Sequence, residues 1–203
     1  MLKLKRAGML IFLLAFPALF FLFLRSCGTN HYDLPYFHPV TDANGQIAGS
    51  DTVYYQLSGP IGITPGGDTV QAEELDGKIN VFLYGIPAAG TSSTRWETNR
   101  NRLLDVMSGE DDCQFLESES VTDTNTAPRV IRLMEPADSW KILLKLDKTP
   151  ALGRTFSPNS SLILVDGARR IRGYYDLTDS DELDRAMAEI KILLYQKKVA
   201  AKN

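Results

Sequence analysis

The chain is poor in the residues that bind metals or do thiol chemistry: its 203 residues hold two cysteines, Cys27 and Cys113, and two histidines, His31 and His38. Two cysteines far apart in sequence give no disulfide framework, no Cys-x-x-Cys redox pair and no Cys/His cluster with zinc-ligand spacing. An excess of positive charge is also lacking. With 22 Lys and Arg against 25 Asp and Glu the net charge is −3 and the cations are scattered, which excludes the phosphate-neutralising footprint of a nucleic-acid binder.

What the chain does have is one long apolar run, Ala7 to Leu24, reading AGMLIFLLAFPALFFLFL. Its length approaches the ~20 residues that cross a ~30 Å hydrocarbon core, and Pro17 is tolerated inside such a helix. Lys3, Lys5 and Arg6 precede it and hold the N-terminus in the cytoplasm. Residues 1–6 therefore read as a cytoplasmic n-region and 7–26 as a single transmembrane anchor, with everything after Arg25 on the far side. A cleaved signal peptide fits less well, because the run exceeds the usual h-region and no small-x-small site follows. Cys27 resembles a lipoprotein acceptor, but Arg25 just before Ser26 is a poor fit to that pattern.

Residues 27–50 are rich in Pro, Tyr, Asn and Gly without a helical period and read as a stalk. Residues 51–203 read as one folded domain. Asp51–Tyr55 and Asp68–Ala72 are short β-compatible stretches and form the expected N-terminal strand pair. Ile79–Tyr84 is an apolar run of β-formers, the expected central strand buried on both faces. After the Pro87–Gly90 turn, Thr91, Ser92 or Ser93 caps a helix with Trp96, Leu103, Leu104 and Met107 on one face. Cys113–Ser120 reads as the next strand, Pro128–Leu146 as one or two short helices broken at Pro136, and Leu162–Val165 as a strand. Asp166-Gly167 turns the chain into Arg170–Tyr175 as a hairpin, and Thr178-Asp179 caps a last helix with Leu183, Met187, Ile190 and Leu194 buried. A βαβ unit followed by a hairpin and a terminal helix is the thioredoxin order: an α/β fold with a mixed central sheet flanked by helices.

Several stretches resemble the Sco/SenC family, membrane-anchored thioredoxin-fold proteins that deliver copper to cytochrome oxidase. They are Leu75-Asp-Gly-Lys before the central strand, Leu164-Val-Asp-Gly, and Arg170-Ile-Arg-Gly-Tyr-Tyr-Asp. The resemblance spans roughly Leu34 to Leu194, takes in Leu34-Pro-Tyr-Phe, and is most specific from Leu162 to Asp176. It implies a bacterial inner-membrane protein, single-pass, with its C-terminal domain in the periplasm. The family's copper ligands are two thiolates in a Cys-Pro-x-x-Cys loop after the central strand and one distant imidazole, a set that suits both copper oxidation states. Matching Pro87 to the loop proline puts Ile86 and Gly90 at the thiolate positions, and the histidine position falls at Pro158. The expectation is a non-enzymatic member without a copper cofactor, acting by binding cytochrome oxidase or its assembly factors.

The remaining candidates are weighed in the same way. Arg95, Arg100 and Arg102 are read as the exposed face of the first helix and the partner surface. Cys113 follows the acidic Glu110-Asp111-Asp112, which disfavours a reactive thiolate, and reads as structural. His31 and His38 read as solvated stalk residues, Ser92 and Ser93 as caps without a base to activate them, Pro158 as a loop proline, and Trp96 and Trp140 as core or groove aromatics. The alternative function is copper or thiol chemistry through atypical ligands, in which Cys27, Cys113 or the stalk histidines converge in space.

Overall fold

The computed structural model describes residues 15–17, 19–21, 34–41, 52–85, 90–118, 130–134, 139–147 and 161–201. The chain divides into two compact units, Met1–Asp33 and Leu34–Asn203. In the first, Ala15–Pro17 and Leu19–Phe21 are helical, and Phe16 stacks on Phe20 with ring centroids 6.2 Å apart. Among the described residues no helix is long and apolar enough to cross a membrane. Most of the expected anchor, Cys27, His31, Ile86, Pro87 and Pro158 lie outside the described residues.

The second unit is built on a five-stranded sheet. Its strands are β3 (Ile79–Leu83), β4 (Cys113–Ser118), β5 (Val130–Leu133), β6 (Leu162–Val165) and β7 (Ile171–Tyr175), in the order β5-β4-β3-β6-β7. β3, β4 and β5 are parallel, β6 runs antiparallel to β3 with Leu83 opposite Leu162, and β7, antiparallel to β6, returns to the direction of β3. All five residues of β3 are buried, as a central strand covered on both faces requires. Helices α1 (Thr91–Val106) and α3 (Ser180–Ala200) cover one face, where Val81, Leu83, Trp96, Leu103, Met107, Ile190 and Leu194 share a core. The other face carries a hairpin of β1 (Pro60–Ile63) and β2 (Thr69–Gln71), a 3-10 turn Ala72–Leu75, the short helix α2 (Ser139–Leu143) and Phe37, around Phe82, Leu116 and Trp140.

Two expectations are corrected. The partner of β2 is Pro60–Ile63 and not Asp51–Tyr55; Tyr54 bridges Pro39 instead. Gly59-Pro60 reads as a break, yet a proline is accommodated at the first residue of an edge strand, where no ladder N–H is needed. The turn at Thr64–Asp68, closed by Gly67 N–H to Thr64 O at 2.9 Å, returns the chain directly onto that strand. Within Pro128–Leu146, Val130-Ile131-Arg132-Leu133 forms β5 beside β4, and only Ser139–Leu143 is helical. The β-branched pair and a free edge on β4 outweigh the weak helical period.

Residues read as stalk belong to the folded unit from Leu34 onward. Leu34 packs against the core beneath α3, while Phe37 is buried in the core of the opposite face, so this strap crosses the β7 edge. Phe37 N–H donates to Ile171 O at 3.1 Å, and the Arg172 guanidinium donates to Leu34 O at 2.8 Å and Pro35 O at 3.0 Å. The strap covers backbone groups that a sheet edge would otherwise leave open.

Candidate functional site

The sheet directs β3 and β4 toward one end, where α1 begins. There Tyr84 N–H donates to Ser161 O at 2.8 Å and Ser161 N–H to Tyr175 O at 2.9 Å, joining the end of β3 to the start of β6. Gly85 and Gly90 have φ of 68° and 143°, conformations open to glycine but strained for other residues, and they bracket the loop that leads into α1. Gly90, at one matched thiolate position, is the N-cap of α1 and has no side chain to offer a ligand. Ser93 accepts from Gly90 N–H at 3.1 Å and donates to Gly90 O at 2.8 Å, so its hydroxyl is spent on the cap.

Beside this end lies an open groove of about 790 Å³ between α1 and the start of α3. Arg95, Thr94 and Thr98 face Asp176, Asp179 and Asp181 across it. Asp179 caps α3 by accepting from Asp181 N–H at 2.9 Å, and Asp176 accepts from the Thr178 hydroxyl at 2.6 Å. Asn99, buried at the base, donates to Leu177 O at 2.7 Å and fixes the spacing of the walls.

The three arginines expected on one exposed face separate. Arg95 lines the groove and forms no ion pair among the described residues. Arg102, on the same side of α1, pairs with Asp184 of α3 at 2.7 Å. Arg100 departs from the expectation: its side chain is 1% exposed and grips Glu117 of β4 through two bonds, Nε at 2.6 Å and Nη2 at 2.8 Å. The cause is helical spacing, since Arg100 is four residues after Trp96 and four before Leu104 and so falls inside the buried stripe. That signal was present in the sequence but was overridden by the residue's charge.

The thiol and the imidazole lie apart. Cys113 is 1% exposed, at the first residue of β4 opposite Ile79, on the face covered by α1 and α3 and at the sheet end away from the α1 N-terminus. His38 is half-buried against the other face, its Nε2 2.7 Å from the Tyr174 hydroxyl, which donates to Leu144 O at 2.8 Å. It is therefore not a solvated stalk residue. Among the described residues no group of three His, Cys, Asp or Glu could hold a metal ion. Burial raises the Tyr174 and Tyr175 phenols well above their usual range, helped at Tyr175 by Glu189, which accepts its hydroxyl at 2.6 Å. Neither phenol is poised for proton transfer.

No protein-family model matches the chain, and no curated protein matches it. Solved structures do. BsSco, described as a member of the Sco family of cytochrome c oxidase assembly proteins, superposes with a TM-score of 0.50 at 14% identity, over 71% of this chain and 96% of its own. The fold is thioredoxin-like. A SCO1/SenC family lipoprotein from Bacillus anthracis matches with a TM-score of 0.49 at 15% identity, over 68% of this chain and 95% of that one. Peroxiredoxin Q from Xanthomonas campestris matches with a TM-score of 0.47 at 14% identity, over 71% and 99%. The thioredoxin-like architecture expected from the order of the elements is present. Likeness at this level of identity leaves the chemistry to be argued from the site.

Proposed function

We propose that this is a membrane-anchored, extracytoplasmic Sco-like domain that works by binding a protein partner in cytochrome oxidase assembly and not by holding copper at the loop before α1. One observation carries the reading. The only cysteine of the folded unit, Cys113, is sealed in the core at the end of the sheet away from that loop, while the matched position Gly90 has no side chain. Soft-metal or dithiol chemistry needs thiolates that can reach the ligand. What the loop end offers instead is a polar groove with Arg95 on one wall and three carboxylates on the other. Such a surface suits a partner presenting complementary charge.

The test has two arms. Cu(I) titration of the full chain in detergent, against a competing chelator, is expected to show no binding that disappears in Cys113→Ser. In cells lacking the chain, assembled cytochrome oxidase should fall and be restored by the wild type and by Cys113→Ser, but not by Arg95→Glu. Tight copper binding lost in Cys113→Ser, together with failure of that variant to restore the oxidase, would replace this reading with one of copper handling.

A further inference from the structure

α3 carries two apolar stripes. The first, Leu183, Ala186, Met187, Ile190, Leu193 and Leu194, is buried against the sheet. The second is Ala188, Ile192, Tyr195 and Val199, at spacings of four, three and four residues. With ~100° of rotation per residue these four fall within about 60° of one another, on the side of α3 opposite the core. Ala188 is exposed, Ile192 half-buried, and Tyr195 and Val199 are 64% and 40% exposed. A polar outer face would be the ordinary choice for a helix packed by one side on a sheet.

Where this stripe lies in the fold says what covers it. α3 starts beside the groove and runs to the other end of the sheet, where Lys197 and Lys198 pair with Asp112 and Glu110 ahead of β4. The chain enters the folded unit at that same end. Tyr36 of the strap shares a groove with Leu193, Gln196, Lys197 and Ala200, and Leu34 is held by Arg172. Leu24, the last residue of the apolar run, precedes Leu34 by only ten residues, a reach of at most ~36 Å. A surface tethered so closely to a bilayer meets it at high effective concentration, so a small apolar stripe suffices.

We infer that the outer face of the C-terminal half of α3 rests on the lipid surface, with Ile192, Tyr195 and Val199 at the acyl boundary and Lys191 at the headgroups. Tyrosine is at home there, with its ring in the apolar layer and its hydroxyl in water, and lysine reaches outward along its stem. Lys191 forms no ion pair among the described residues and is exposed. The opposite end of the sheet, with the groove at Arg95, is then turned toward the aqueous space and its partner. This inference rests on the anchored reading above.

The full chain is reconstituted into vesicles of phosphatidylethanolamine and phosphatidylglycerol, with and without brominated acyl chains. Tyr195→Trp is compared with Thr98→Trp, an exposed position in the groove, after subtracting the unsubstituted chain, whose Trp96 and Trp140 are fully buried. The expected result is a blue shift and loss of emission in brominated vesicles for Tyr195→Trp and none for Thr98→Trp. A chain that floats with the vesicles but whose Tyr195→Trp emission ignores the bromine overturns the inference and leaves the anchor intact. A chain that does not float overturns the anchored reading and the inference with it. A blue shift that grows with protein-to-lipid ratio and is insensitive to bromine overturns the inference in favour of a second copy.

Discussion

The Arg100–Glu117 pair is the sharpest point at which to break this fold. The two side chains are 1% and 0% exposed and joined by bonds of 2.6 and 2.8 Å, tying the middle of α1 to the end of β4. Glu117→Leu leaves a guanidinium that cannot shed its proton in a site sealed from water, and is expected to cost about 3–5 kcal/mol. Arg100→Met leaves a carboxylate that still has Arg132 across from it in the β4–β5 register. Its cost should therefore be smaller. The double variant Arg100→Met with Glu117→Leu removes both charges from the low-dielectric site and should be near neutral, or stabilising by about 1–4 kcal/mol. Urea unfolding in detergent reads all three directly, because Trp96 and Trp140 are both fully buried in the folded chain. If Glu117→Leu costs less than the ~1 kcal/mol typical of exposed pairs, or if the double variant is as unstable as the sum of the singles, the pair is not acting as a buried couple.

Three further outcomes are expected. Arg172→Lys should loosen the strap almost as much as Arg172→Ala, since only the planar fork reaches Asp166, Leu34 O and Pro35 O together; limited proteolysis should then cut among residues 34–41. Gly173→Ala places a methyl group on the Tyr175 hydroxyl, which must leave Glu189, and should cost about 1–3 kcal/mol in urea unfolding, whereas Gly109→Ala, with open space around it, should be nearly silent. The Asp112 carboxyl is held below its usual range, chiefly by the hydrogen bond from Lys197. Its contribution is present above the unfolded value near ~3.9 and is lost as pH falls through the lower folded value, so Asp112→Asn should reduce the acid sensitivity of the melting temperature below about pH 5. Salt should shrink that difference, because the pair is exposed.

The sheet and its two long helices were legible because periodicity reports burial. Ile79–Leu83 carries no polar face beyond Asn80, and Asn80 is satisfied by Leu75 O at 3.0 Å and Lys78 O at 2.9 Å. Leu183 to Leu194 keeps a helical repeat through a charged background. β5 was missed because four residues between Pro128 and Pro136 carry too little pattern of their own to separate a strand from a short helix. The role of Arg100 was missed because charge argued for the surface while position argued for the core. His38 and Phe37 were read as stalk because their partners, Tyr174 and Ile171, lie far along the chain. No local pattern announces a contact of that range. The groove at Arg95 was half legible: Arg95 was read as a partner surface, but of the facing aspartates only Asp179 was given a local role, as a cap.

Of the segments that resemble the Sco family, only the last residue, Asp176, reaches the groove at Arg95; Leu75–Lys78, Leu164–Gly167 and Arg170–Arg172 meet at the other end of the sheet. Gly167 O accepts from Gly77 N–H at 2.8 Å, and a Cβ on Gly167 would stand 3.1 Å from the Gly77 carbonyl carbon, so both Asp-Gly pairs serve one close backbone approach. Asp166 accepts from Ala168 N–H and Arg170 N–H, both at 3.0 Å, and pairs with Arg170 and Arg172, also at 3.0 Å, closing the β6–β7 turn. The Arg172 guanidinium lies 3.8 Å from the centre of the Tyr36 ring and holds the strap. At this corner Leu75-Asp-Gly-Lys and Leu164-Val-Asp-Gly make their contacts to backbone, to a neighbouring strand or to the β6–β7 turn, where Asp76 pairs with Arg169 at 3.0 Å. Physical constraints of that kind follow the architecture and are indifferent to what the α1 loop carries. A chain can therefore keep this corner whatever residues stand ahead of α1, and the strength of the resemblance from Leu162 to Asp176 measures the fold alone.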